Sequence, residues 1–299
     1  LVHTHFRSRA SESLLEKYEE FKDAEKYWLD NFAAFCTLKN INKGLPWFEW
    51  KNHEIPEGTS LEYTKMVQFI FHYQWEVLKE SCIKMGIKLI GDLPIYVGYD
   101  SADVWANRKL FQVTPKGGLE FQAGCPPCKY EEEGQIWGNP LYNWELHEAD
   151  EFSWWKKRFQ KLFRQVDIIR LDHFIGFAKY YKIPIESQTA RNGEWVSSPG
   201  EKLFSALKDI VHKENVIAED LGDITPEIHR LRKAFHFPGM RVMHFEFGQK
   251  IRRIRDWTTF YLRKYSICNS RKRVCKIRKK EVHSRIQGKI SYFFFIRIF

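Results

Sequence analysis

Over residues 10–38 the apolar positions Leu14, Leu15, Tyr18, Phe21, Tyr27, Leu29, Phe32 and Phe35 recur at near-helical intervals among Glu and Lys. That period predicts one or two amphipathic helices with one buried stripe. Gly44, Pro46 and Pro56 break the pattern across 41–59, and a second helical pattern fills 61–85 before Gly86. The period then changes. Residues 87–95 form a short apolar run with Asp92 and Pro94 near its end, as in a buried parallel strand. Residues 96–144, rich in Gly, Pro, Asn and Trp, read as a long functional loop region, followed by a helix over 152–163. A second apolar run, Val166 to Leu171, ends on Asp172, and a third, Val216 to Ala218, ends on Glu219. Between them a loop holding Pro184, Gly193, Pro199 and Gly200 leads into a helix over 203–211. Thr225 and Pro226 form a helix start, Thr as N-cap and Pro in the first turn. Residues 239–247 resemble a fourth strand. Four strand-plus-helix units predict an α/β fold built on a parallel sheet or barrel, although they make half of eight.

Composition changes this picture at one place. The chain of 299 residues carries a formal charge of +10, but residues 1–249 hold 32 Lys and Arg against 36 Asp and Glu, while 250–299 hold 16 against 2. The basicity belongs to the tail. A slightly acidic body offers no general surface for nucleic acid, and a polyanion-binding role would have to be borne by the tail. The tail, free of proline and without an amphipathic period, is expected to lie outside the fold of the body. Six cysteines make no disulfide framework and suggest a reducing compartment. Cys125 and Cys128 have C-x-x-C spacing, but no second half-site follows, so no metal and no cofactor are expected and the segment reads as a loop. No apolar run of about 18 residues appears, and no leader, so no membrane span is expected and a soluble intracellular protein is. The first residue is Leu1 rather than Met, and loss of the true N-terminus is expected.

The candidate chemistry rests on two acids. Asp172 and Glu219 end two apolar runs, and the C-terminal ends of barrel strands are where catalytic side chains converge. Two close carboxylates equip a protein for retaining chemistry at a sugar, one attacking the anomeric carbon and the other protonating the departing oxygen. Arg170, two residues before Asp172 and on the same side of a strand, would keep it ionised as a nucleophile needs. Burial behind an apolar run would raise the pKa of Glu219, as suits a general acid. Structural roles, capping helices or binding arginines, fit these residues alone equally well.

Five motifs in order narrow the choice: Gly91 to Val97, Asp100 to Asn107, Gly134 to Tyr142, Arg170 to Phe174, and Ala218 to Gly222. With Thr189-Ala190, Gly193, Trp195, Pro199-Gly200 and Phe237 to Met240, they resemble the 4-α-glucanotransferases known as amylomaltases or disproportionating enzymes, over about residues 10–249. The resemblance implies a partial TIM (β/α)8 barrel with an N-terminal helical subdomain insertion, divided as 1–60 helical subdomain, 61–249 partial barrel and 250–299 basic tail. It implies transfer of a segment of α-1,4-glucan to the 4-hydroxyl of an acceptor sugar, with maltooligosaccharides as partners, in the cytoplasm or a plastid. Its nucleophile falls on Asp172 and its acid/base on Glu219. Its substrate-binding positions fall on Asp92, Arg170, Trp137, Tyr130, Asn139 and His173, the last equally a core histidine.

The departures are as specific. The family's third carboxylate lies in a His-Asp-Asn motif, and this chain contains no His-Asp pair. The family's lid reads Pro-Pro-Asp followed by two aromatics, where Pro126-Pro127 is here followed by Cys128, Lys129 and Tyr130. Glu246 stands where the family usually has a small residue. Low activity is therefore expected, with glucan hydrolysis and a non-catalytic glucan binder as the competing readings.

Overall fold

The computed structural model describes residues 2–128, 131–222, 224–242, 260–261 and 293–296, with side chains between 5 and 240. In chain order the elements are α1 (Val2–Arg9), α2 (Glu12–Ile41), α3 (Glu62–Lys84), β1 (Lys88–Leu93), α4 (Ala102–Ala106), β2 (Phe121–Cys125), β3 (Gln135–Ile136), α5 (Trp144–Ala149) and α6 (Ser153–Gln165). They continue as β4 (Ile168–Leu171), α7 (Ile175–Ala178), β5 (Lys179–Pro184), β6 (Glu194–Ser197), α8 (Gly200–Ala206), β7 (Val216–Ala218), α9 (Pro226–Ala234), β8 (Arg241–Val242), β9 (Phe260–Tyr261) and β10 (Phe293–Ile296).

The three acid-bearing apolar runs become neighbours in one parallel sheet, ordered β10-β1-β4-β7. The register decides what meets at its end. Asp92 pairs with Arg170, and Leu171 with Ala218, so Asp172 and Glu219 leave the sheet at the same level. Because side chains alternate along a strand, Asp92, Arg170, Asp172 and Glu219 share one face. At the opposite end, the Asp167 carboxylate accepts the Leu89 amide at 2.8 Å and locks the stagger of β1 against β4. Helix α6 covers the sheet closely at Gly91, where a Cβ would come within 2.9 Å of Val166. Trp155, Phe159, Phe174, Phe177 and Phe204 fill the space between sheet and helices and are buried with Ile169 and Leu171.

The N-terminal pattern resolves as one 30-residue helix, α2, capped by Ser11, whose hydroxyl accepts the Leu14 amide. It packs on α3 through Tyr18, Phe21, Leu29, Met66 and Phe69, so the helical layer runs on to residue 84. Its attachment to α6 is electrostatic: buried Glu25 binds Lys161 at 2.9 Å and Arg164 at 3.2 Å.

A second, antiparallel sheet, ordered β3-β2-β5-β6, has no counterpart in the sequence reading, which treats both of its segments as loops. β2 and β5 are short, and their partners lie some sixty positions apart, so local alternation is a weak signal. Smaller differences follow. Helix α8 begins at Gly200 and stops at Ala206 rather than spanning 203–211. Thr225 sits at the N-cap of α9 with Pro226 in the first turn, but its hydroxyl makes no capping bond. Of the expected strand over 239–247, Arg241–Val242 pairs with β9 rather than β7, and residues 243–247, Glu246 included, lie outside the described residues. Residues 293–296, within the basic tail, run parallel to β1 on its other edge.

Candidate active site

Arg170 on β4 organises the face defined by the register. Its Nη1 lies 2.5 Å from Asp92 Oδ1 and 2.7 Å from Asp172 Oδ1, and its Nη2 lies 3.0 Å from Glu219 Oε2. The acids differ in depth: the Asp92 side chain is 5% exposed, Glu219 21% and Asp172 30%, so the cluster opens towards solvent at Asp172. Backbone bonds fix the strand ends beneath it. The Asp172 amide donates to the Leu93 carbonyl and the Glu219 amide to the Leu171 carbonyl, both at 3.0 Å.

Of the three acids beside Arg170, Glu219 has a raised pKa. Burial pushes its pKa up to about 7, aided by the charge of Asp172 and a hydrogen bond to it; Arg170 and the His173 amide, 2.7 Å from Oε2, pull the other way. Burial would lower the pKa of Arg170, but Glu219, Asp92 and Asp172 together raise it, so the cation is fixed.

His173 follows Asp172 with a φ of +49°, in the left-handed region that favours glycine. That turn swings its backbone N–H onto Glu219 and its ring edge-on to Trp137, with centroids 4.9 Å apart. Burial drives the His173 pKa down to about 4 against the charge of Asp172, so the ring is neutral at neutral pH. Trp137 is held by its amide bond to Ala123 O and by its indole N–H, which donates to Gln135 Oε1 at 2.9 Å. The structure thus brings Asp92, Arg170, Asp172, His173, Glu219 and Trp137 together. Asn139 is engaged in the loop instead, its amide donating to Val97 O at 2.8 Å. Tyr130 and Lys129 lie outside the described residues.

Two supports escape sequence reasoning. Asp220, next to Glu219, binds Arg232 Nε at 3.0 Å and accepts the Met240 amide at 2.8 Å, while Arg232 also donates to Phe237 O. This clamp ties the end of β7 to the turn after α9. Behind Asp92, Arg158 donates to the carbonyls of Pro94 and Ile95 and lies over the rings of Trp154 and Trp155. A helix-face arginine carries no local signal of such a target, so neither contact is visible before folding.

The Asp172 carboxylate thus stands beside the Glu219 carboxyl group, whose pKa is pushed up to about 7, at the C-terminal end of a parallel sheet. Comparison gives the family. The family model described as 4-alpha-glucanotransferase, glycoside hydrolase 77, matches residues 1–266, and the chain belongs to that family. The 4-alpha-glucanotransferase of Thermus thermophilus is 40% identical over 254 residues, covering 81% of this chain and 51% of that protein. The chloroplastic/amyloplastic 4-alpha-glucanotransferase of Solanum tuberosum is 39% identical, over 81% of this chain and 46% of its own length. Amylomaltase from Streptococcus agalactiae, solved in complex with acarbose, superposes with a TM-score of 0.73 at 35% identity over 79% of this chain and 50% of its own. The chain spans about half the length of the curated relatives it matches.

Proposed function

We propose that this chain carries the donor-side chemistry of a 4-α-glucanotransferase on a partial TIM (β/α)8 barrel, with an N-terminal helical subdomain. Asp172 attacks the anomeric carbon of an α-1,4-glucan while Glu219 protonates the departing glycosidic oxygen, leaving a glucosyl ester on Asp172. Glu219 then accepts the proton of an incoming 4-hydroxyl as that oxygen displaces Asp172, restoring the α-linkage.

The observation that carries this reading is the shared guanidinium. Arg170 is ion-paired with both Asp172 and Glu219, and the two carboxyl groups are hydrogen-bonded to each other, which supports a separation below the roughly 6.5–9.5 Å that an inverting water requires. The same contact supplies the acid-to-base switch. Part of what raises the Glu219 pKa is the charge of Asp172 and a hydrogen bond to it. Esterification of Asp172 removes that charge, so Glu219 becomes more acidic when it has to act as a base. Asp92 neutralises the inner side of Arg170 and is placed, with His173, to accept or donate to sugar hydroxyls; Trp137 offers a ring for an apolar sugar face. Maltooligosaccharides are the substrates this geometry favours, and a compartment holding starch or maltodextrins is where they are met.

Incubation with maltotriose tests the proposal: longer and shorter oligosaccharides should both accumulate, and Asp172→Asn should abolish them. Glucan binding without products would identify a non-catalytic glucan binder. The absence of both binding and products would defeat the reading.

A further inference from the structure

A cavity of about 450 Å³ lies among α5, the end of β6 and the start of α8. It shares no lining residue with the Arg170 cluster. Tyr142 stands between the two places: it lines this cavity and packs on Tyr96, which in turn packs on Trp137. We propose that this cavity is a second saccharide subsite, taking a neutral α-glucan segment away from the carboxylates; it rests on the glucan reading above.

Three features of the walls select that ligand. Trp144 supplies a half-buried ring, held in place by stacking on Trp155 at 6.0 Å and 12°, so an aromatic platform is preorganised without an entropic cost on binding. Around it hydrogen-bonding groups alternate with apolar wall. Gln112 is anchored through Nε2 to Tyr142 O at 3.1 Å and to the Tyr180 hydroxyl at 3.4 Å, and Ser197 faces the cavity from the strand edge. The charges cancel or lean negative. Lys202 Nζ is paired with Glu148 Oε2 at 2.6 Å, and Glu145 adds a further carboxylate, so nothing attracts an anion. A flat ring, a polar rim and no positive excess match a pyranose, which has an apolar C–H face edged by hydroxyls. The volume is within the roughly 300–1,000 Å³ of small-ligand sites.

The two sites carry separate reporters, the indole N–H groups of Trp144 and Trp137, which nuclear magnetic resonance of the ¹⁵N-labelled full chain distinguishes once Trp144→Phe and Trp137→Phe have assigned them. Titration with maltoheptaose should move both. Ser197→Arg, which fills the mouth from an exposed strand position and leaves the core intact, should suppress the Trp144 shift and keep that of Trp137. It should also weaken retention in an amylopectin gel by about tenfold, the loss of one good anchor. Movement of Trp137 alone overturns the second subsite and leaves the glucan reading standing. So does a Trp144 shift that survives Ser197→Arg, since it would then be relayed from the first site. Stillness of both indoles overturns the glucan reading itself.

Discussion

Glu219 converts its surroundings into a pH response. A carboxyl whose pKa rises to about 7 on folding, from 4.5, binds its proton more tightly in the native state. The stability it contributes is therefore present below pH 4.5 and is lost as pH rises through 7. Glu219→Gln mimics the protonated form at every pH, so its melting temperature relative to the parent should climb between pH 5 and pH 8; a constant offset in thermal melts would refute the assignment. His147 works in the opposite sense. Enclosed by Tyr142, Trp144, Trp154 and Trp155, it has its pKa lowered by burial to about 4, so the unfolded chain protonates first and stability falls as pH drops from 6.5 to 4. His147→Phe, which keeps the ring packing, should lessen that acid loss, as melts at pH 7 and pH 5 would show.

Among elements, the junction of β7 with α9 bears most directly on the site. β7 is three residues long, and its last amide, at Ala218, donates to Pro238 O rather than to a further strand. What keeps that turn in place is the Asp220–Arg232 pair, whose side chains are 11% and 21% exposed. Removing one member leaves the other largely buried and unpaired, which costs about 3 kcal/mol. Asp220→Ala should therefore lower stability by about that amount in urea melts and speed hydrogen exchange of the Met240 amide, whose acceptor is Asp220 Oδ1. An unchanged Met240 exchange rate would show that the clamp does not hold the turn.

Across the molecule, the helical layer and the sheet layer share a core through Phe35, Leu38 and Cys82, and they meet again at Glu25, whose side chain is 3% exposed and faces Lys161 and Arg164 of α6. Trp28 donates to the same carboxylate. Burial alone would raise its pKa, but these partners bring it below the usual carboxylate range, so this stability is present above pH 4.5 and lost in acid. Glu25→Gln leaves Lys161 largely buried without its counter-charge, while the exposed Arg164 is screened by water, and should cost about 2 kcal/mol. Limited proteolysis should then cut α2 before the sheet region, whereas loss of both together would mean that the two layers unfold as one unit.

The sequence by itself determined the elements with a strong local period and the kinds of residue at their ends. The apolar stripe of α2, the pattern of α3 and the three β-branched runs ending at Asp92, Asp172 and Glu219 are each legible within a window of some twenty residues, because burial imposes its period on neighbours. It also placed Arg170 beside Asp172, since alternation along a strand is local. Tertiary structure decided everything that depends on which strands become neighbours. The antiparallel sheet joins segments that read as loops, Asn139 turns out to staple its own loop, and the Asp220–Arg232 and Glu25 contacts link side chains with no shared periodicity. The Glu219 pKa falls between the two: its rise with burial is expected from the apolar run before it, while the part due to Asp172 exists only once β4 and β7 lie side by side.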